Sequence, residues 1–522
     1  MADITEPEGR TGGTGGTGGT GAKKTRHTKA GRAFGGKGMH RRGFLGGMAG
    51  VGLGVVAGAG GAFSLLTEAG RNRASAATGT ATLTVPDLLQ GTASGGTTTF
   101  TLEARTGTAE VLSGVTSDTM GYNQSFLGPT MKWTKGDTVL LDITNSLGEA
   151  TTVHFHGAHV PAKMDGGPQV AFADGETWSP TFTVKDDAKT LWYHPHALGT
   201  TAKQAVHGLA GMIIVEDDST ASSNLPSTYG TDDIPLIFQS LASDSGGDLK
   251  YNLTGYLSSG LSFPLLLNGT NVDDTTLTFT ATKTRIRFRC LNASPSDIIT
   301  IQRGDGGTLH QIATDQGYLT APTEVDSIRL VAGARAEFVL DLSDAVTLQA
   351  VVTTGWVRGG SGTYDVLAIT ASGTDTPADL PGSLNTIDRY DTSDFTARTI
   401  TLGQSGTTMT INGSAGTSMS SMAMISTTLG AKEIWTIKNN TQLEHSFHLH
   451  DVPYQLVSVN GEDPTGVDLG WFDTYEVVGG GSIEIAMEFT DFADDTYMYM
   501  LHCHLLQHED EGMMASLMVT ES

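Results

Sequence analysis

Val-Leu-Leu-Asp-Ile-Thr-Asn at residues 139–145, Arg-Ile-Arg-Phe-Arg-Cys-Leu-Asn at 285–292 and Glu-Ile-Trp-Thr-Ile-Lys-Asn at 433–439 decide the fold. Each segment alternates apolar and polar residues and stops at an Asn. That is the pattern of a strand with one buried face running into a polar turn. The closing residues Asn145, Asn292 and Asn439 are separated by 147 positions both times. So long a period is a domain length rather than a solenoid repeat. With 68 Gly and few charged residues, the composition also suits a turn-rich all-β chain. Three similar β-domains are expected, at 77–220, 234–372 and 394–522. Their joints fall in the polar stretches 217–233 and 372–393.

Ten of the fifteen histidines sit in four short clusters. They are His154 and His156 in HFHG, His194 and His196 in HPH, His445, His448 and His450 in HSFHLH, and His502, His504 and His508 in HCHLLQHEDEGM. The last cluster also holds Cys503 and Met513. His154 and His156 stand at the same offsets past Asn145 as His448 and His450 past Asn439. The middle repeat has Ile301 and Arg303 there and offers no ligand. The outer units are therefore expected to bear metal, and the middle one to be a spacer.

Side chains alternate along a strand, so His-x-His presents both imidazoles on one face. In His502-Cys503-His504 the two imidazoles point one way and the thiol the other. One tripeptide can then serve a cluster of histidines on one side and a separate copper on the other. His445, Cys503, His508 and Met513 make up two imidazoles, a thiolate and a weak thioether, the type-1 copper set. Zinc is the alternative for mixed Cys and His ligands. It takes four ligands at most in such sites, and this chain offers twelve.

The four clusters resemble the copper signatures of the multicopper oxidases, the family of laccases, bilirubin oxidase and bacterial cuprous oxidases. The resemblance covers nearly all of residues 80–522 and is strongest in DGGPQ, WYHPH, GLAGMIIVED and HCHLLQHEDEGMM. It implies three cupredoxin-like Greek-key β-barrel domains and four coppers per chain. His154 and His448 would hold the type-2 copper. His156, His194, His196, His450, His502 and His504 would hold the type-3 pair, and His445, Cys503, His508 and Met513 the type-1 copper. Asp165 in MDGGPQ and Glu509 after His508 resemble the carboxylates that relay protons to the trinuclear cluster, and Cys503 would carry electrons to it. HSFHLHD and the Phe155 of HFHG depart mildly from the usual motifs, and no ligand is missing.

The resemblance further implies a laccase-type reaction, in which a phenol or aromatic amine is oxidised one electron at a time while dioxygen is reduced to water. Oxidation of cuprous or ferrous ions is the second reading. A non-catalytic scaffold, as in family members that serve cell division after losing copper ligands, is the third; this chain keeps all twelve. Met419, Met422 and Met424 form a small cluster, expected to pack a core rather than to bind substrate copper. His27, His40, His159, His207 and His310 have no partner at ligand spacing and are expected on the surface, in turns or in the leader.

Residues 1–76 read as a leader. Residues 11–21 are a Thr-Gly-Gly repeat unable to form a core. Arg41 and Arg42 precede an apolar stretch, and Ala74-Ser75-Ala76 offers a cleavage site, which resembles a twin-arginine export signal. About 24 apolar residues could also span a bilayer as a retained anchor, but the stretch is Gly-rich and weakly hydrophobic, which favours cleavage. Partnership with the twin-arginine machinery and an exported location are expected. Of 31 Lys and Arg and 56 Asp and Glu, the leader holds 11 and 4. The body carries 20 basic and 52 acidic residues, a formal charge of −32 that repels nucleic acid and anionic membranes. Of the two cysteines, Cys503 is committed to metal. Cys290 shares a strand face with Ile286 and Phe288 and is expected to be a buried, inert thiol.

Overall fold

A computed structural model of the chain describes residues 79–219, 224–354 and 362–521. The expected leader, with its twin arginines and cleavage site, lies outside the described residues. The fold is all-β, with 51% strand and 7% helix.

The three repeated segments are the strands Thr138–Ser146, Arg285–Asn292 and Lys432–Asn439. Each lies parallel to an earlier strand, respectively Thr97–Leu112, Asp233–Ser240 and Thr396–Ser405. The closing Asn plays one part in all three. Its Oδ1 accepts the amide of the residue two positions on: Leu147 at 3.0 Å, Ser294 at 3.0 Å and Thr441 at 2.9 Å. Its Nδ2 donates to the carbonyls of Phe172, Leu330 and Val477. An Asn side chain that closes a turn on its own backbone is a sound way to end a strand. Buried amides and carbonyls there need such partners.

The strands of the described residues form six sheets. Two packed sheets enclose each of three apolar cores, around Trp133 and Phe155, Phe288 and Phe338, and Trp435 and Phe447. One strand departs from the expected partition. Gly79–Thr82 pairs in parallel with Thr275–Ala281, so the start of the described chain adds an edge to the sheet of the second unit rather than the first.

Cys290 is fully buried in the second core beside Ile286 and Phe288. The opposite face of its strand is buried too. Arg287 and Arg289 are each 1% exposed. Arg287 pairs with Glu337, and Arg289 with Asp233 and Glu337. Thr190 of the first unit donates to Glu337 at 2.6 Å and accepts from Arg289 at 3.0 Å. The arginine face is a junction between units, and its charges are satisfied by partners as burial requires.

Candidate metal centres

Strand register brings the histidine clusters together. His154–His156 lies antiparallel to Lys189–His194, with His194 opposite His154. In the third unit His445–Leu449 lies beside Tyr499–Cys503, with His448 opposite His502 and Phe447 opposite Cys503. All ten cluster histidines are at most 1% exposed.

Eight of them meet across the contact of the first and third units. The His154 and His450 rings stack at 3.9 Å between centroids, and those of His156 and His448 at 3.7 Å. His502 Nε2 lies 3.1 Å from His196 Nε2 and 3.3 Å from His450 Nε2. His194 and His504 complete the group at 5.2 Å. On the far side of the His502–His504 tripeptide, Cys503 Sγ lies 3.4 Å from His445 Nδ1 and 3.6 Å from His508 Nδ1. Those two nitrogens are 3.2 Å apart. Met513 is fully buried in the same core as Cys503, and its carbonyl accepts the Cys503 amide.

These residues fit metal. Two nitrogens each about 2.0 Å from one tetrahedral ion stand about 3.3 Å apart, close to the spacings found in both groups. His154 Nε2, His156 Nδ1, His194 Nε2 and His448 Nε2 are buried ring nitrogens without a hydrogen-bond partner. The opposite nitrogen is held in each ring: His154 Nδ1 by the Asp165 carbonyl, His194 Nδ1 by the Pro195 carbonyl, His448 Nδ1 by the Asp473 carbonyl, and His156 Nε2 by Asp473 Oδ1. Held on one side, each ring offers its lone pair on the other. Burial lowers the pKa of nine cluster histidines, His445 to about 4 and His450 to about 3. Burial pushes the Cys503 thiol up to about 12, so metal uptake there must displace a proton.

Two acids flank the eight histidines. Asp165 is 1% exposed and accepts from His450 Nδ1 at 2.7 Å. Burial would raise its carboxyl, but His154 and His450 hold it well below the usual range. Glu509 is equally buried, 3.2 Å from His502 Nδ1 and 3.5 Å from His196 Nδ1. Burial and Asp510 push its pKa well above the ordinary value. The surroundings thus push the two carboxyls in opposite directions.

Beside His445 is a shallow, largely apolar cleft lined by Ile298, Val331 and Leu505, with Glu444 and Glu476 on its wall. It brings the outside of the molecule toward the Cys503 group.

Multicopper oxidase family models match residues 103–220 and 379–522. A multicopper oxidase from Staphylococcus aureus is 33% identical over 430 residues, covering 81% of this chain and 88% of the relative. The chain belongs to the multicopper oxidases. The cell division protein FtsP of Escherichia coli is 32% identical over 422 residues, with 78% and 86% covered. Among solved structures, a laccase-like multi-copper oxidase, CueO, from the lignin-degrading bacterium Ochrobactrum sp. superposes with a TM-score of 0.75 at 29% identity, covering 84% of this chain and all of the other. As a multicopper oxidase the protein is a copper-dependent oxidoreductase of cupredoxin-like fold that passes electrons from a reducing substrate to dioxygen.

Other parts of the oxidase depart from the sequence reading. His159 is no idle surface residue. It joins the first unit to the third, with Nδ1 2.9 Å from Asp451 and Nε2 3.1 Å from Asp491. Met422 packs with Met500 and Met514 and, at their edge, Met419, as expected of core, whereas Met424 is 53% exposed. His207 and His310 are partly buried. Sequence reasoning missed Asp473 and Arg335 altogether. Arg335 is fully buried, and its guanidinium forks onto Asp473 at 2.7 and 2.6 Å. Neither residue lies in a recognisable motif; the two are far apart in sequence, and only the glycine of HFHG hints at them. Gly157 has φ +87°, and a Cβ there would lie 2.5 Å from Arg335 Nη2 and 2.6 Å from Asp473 Oδ2.

Proposed function

We propose that the protein is a laccase-type oxidase that takes single electrons from phenols or aromatic amines and reduces dioxygen to water. The carrying observation is Cys503, whose thiol meets His445 and His508 while its chain neighbours His502 and His504 enter the group of eight. His445, Cys503, His508 and Met513 would hold one type-1 copper. His154 and His448 would hold the type-2 copper, and His156, His194, His196, His450, His502 and His504 the type-3 pair, four coppers in all. Bound copper would supply one-electron oxidation at the Cys503 end and dioxygen reduction at the histidine end.

The protein's own groups supply the rest. The apolar cleft of Ile298, Val331 and Leu505 lies beside His445, and at about 10 Å³ it is water-sized, so an aromatic donor would lie against its mouth rather than inside it. The backbone from Cys503 to His502 and His504 is a short covalent link between the two centres. Reducing dioxygen to two waters takes up four protons. Glu509, beside His502 and His196, and Asp165, beside His450, are placed to relay them. Cys503→Ser should abolish the blue colour and oxygen uptake together; a variant that stayed blue and active would end this reading.

A ferrous or cuprous donor is the second reading, favoured by Glu444 and Glu476 at the cleft. Arg329 pairs with Glu476 at 2.7 Å and lies 3.9 Å from Glu444, which reduces their pull on a cation. Oxygen uptake with Fe(II), Cu(I) and a phenol in parallel, on protein with and without Met419, Met422 and Met424, decides between donors.

The leader supports export by the twin-arginine route, with cleavage near Ala76 and a location outside the cytoplasm. Both cysteines are free and buried, which suits a protein folded before export. Replacing Arg41 and Arg42 by Lys should leave the protein inside the cell, and unchanged secretion would argue against the route.

A further inference from the structure

The unit without ligands reaches into the metal-binding group. Its turn at residues 331–335 touches the third unit three times. Ser446 Oγ donates to the Ala332 carbonyl at 2.7 Å. Gly333, at φ +87°, lies so close beneath His504 that a Cβ would sit 2.8 Å from the ring. Arg335 forks onto Asp473, and its Nε donates to the Thr190 carbonyl of the first unit at 3.1 Å.

Asp473 is where these contacts converge. Its Oδ1 accepts from His156 Nε2 at 3.2 Å, and its carbonyl accepts from His448 Nδ1 at 3.0 Å. Thr474 Oγ1 donates to Asp473 Oδ1 at 2.7 Å and lies 3.1 Å from both His156 Nε2 and His448 Nδ1. One residue therefore holds an imidazole from the first unit and one from the third. The second unit holds that residue in turn. Asp315 accepts the Arg335 amide at 2.6 Å, and Gln316 donates to the Gly157 carbonyl and to Asp473.

The hydrogen bonds also set which nitrogen is offered. His156 is held at Nε2 and presents Nδ1, whereas His448 is held at Nδ1 and presents Nε2. A ring turned over would aim a proton, not a lone pair, into the group.

We propose that the second unit is a positioning unit: Arg335 fixes Asp473, and Asp473 fixes the ring orientation and tautomer of His156 and His448. Arg is needed rather than Lys because a planar fork can bind both carboxylate oxygens at once. The proposal rests on the assignment of these histidines to copper under Proposed function.

The test compares copper-loaded wild type with Arg335→Lys and Asp473→Asn. Arg287→Lys is the control, since Arg287 is equally buried and paired but touches no cluster histidine. Copper is titrated out with a chelator while the blue band of the Cys503 centre and the EPR signal of the histidine cluster are followed. Partners of this kind change metal affinity by about 10- to 100-fold. Copper affinity at the cluster should fall by that factor in both pair variants, with an altered EPR signal and the blue band kept. Arg287→Lys should lose thermal stability and keep both signals. Cluster affinity within about twofold of wild type in the pair variants overturns the proposal. So does an equal loss in Arg287→Lys, which would mean general loosening. Should both pair variants fail to fold, Thr474→Val removes one hydroxyl at constant shape. It should shift the EPR signal, and an unshifted one overturns the proposal. Wild type that takes up no copper at the eight histidines would instead defeat the copper assignment itself.

Discussion

His159 shows how one side chain can tie two units together in a pH-dependent way. Burial opposes its charge, but Asp451, Asp186 and Asp491 surround it and raise its pKa from 6.5 to about 9. A histidine whose pKa rises on folding stabilises fully below its unfolded value and loses that contribution as pH climbs through the folded one. The stability added by His159 should thus be complete below about pH 6.5, fall as pH rises from there, and be gone above about pH 9. The gap in Tm between wild type and His159→Gln should shrink over that interval, and a constant gap would show that the pairing does not matter. The residue scale also marks what the sequence could not reveal. The ten cluster histidines were legible because copper ligands recur at fixed strand spacing. Asp473 and Arg335 were not, because an Asp between two short strands and an Arg on a strand look solvent-exposed until tertiary contact buries them.

Among the elements, the three repeated strands were the most legible, since alternation and a closing Asn mark a half-buried strand entering a turn. Two features of the elements went unread. The face of Arg287 and Arg289 alternates as an exposed face would, yet it is buried against the first unit. The strand Gly79–Thr82 precedes the first unit in sequence and pairs with the second, a non-local choice that no local pattern encodes. The Asn turns are structural rather than chemical. Asn292 is the one of the three in the second unit, where its Nδ2 donates to the Leu330 carbonyl just before the 331–335 turn. Leaving its buried turn partners unsatisfied costs about 1–3 kcal/mol. Calorimetry on Asn292→Ala should show that loss, and an unchanged Tm would contradict the role of the turn.

At the scale of the whole molecule, ligands from the first and third units meet in one group, so metal should bind those units to each other. A ligand held only by the folded form stabilises it by mass action. Copper-loaded protein should melt at a higher temperature and in fewer steps than protein stripped by a chelator. Identical melting curves would mean that the histidines hold no metal in common. The acidic body makes a further difference between donors: the rate with a cationic donor should fall as salt is added, and the rate with a neutral phenol should not.

Three sandwiches of one design in a single chain carry a hazard, because near copies can exchange neighbours within a molecule or between molecules. The junction of Arg287, Arg289, Glu337 and Asp233 with Thr190, and of Arg335 with Asp473, works against such exchange. The Arg335–Asp473 pair is matched only when the second and third units meet, and Thr190 of the first unit completes the contacts of Glu337 and Arg289. A sandwich docked on the wrong neighbour would strand at least one of these charges in a dry interface, at a cost that apolar contact does not repay. The same buried charges that orient two imidazoles thus act as an address, fixing which sandwich sits beside which before any metal arrives.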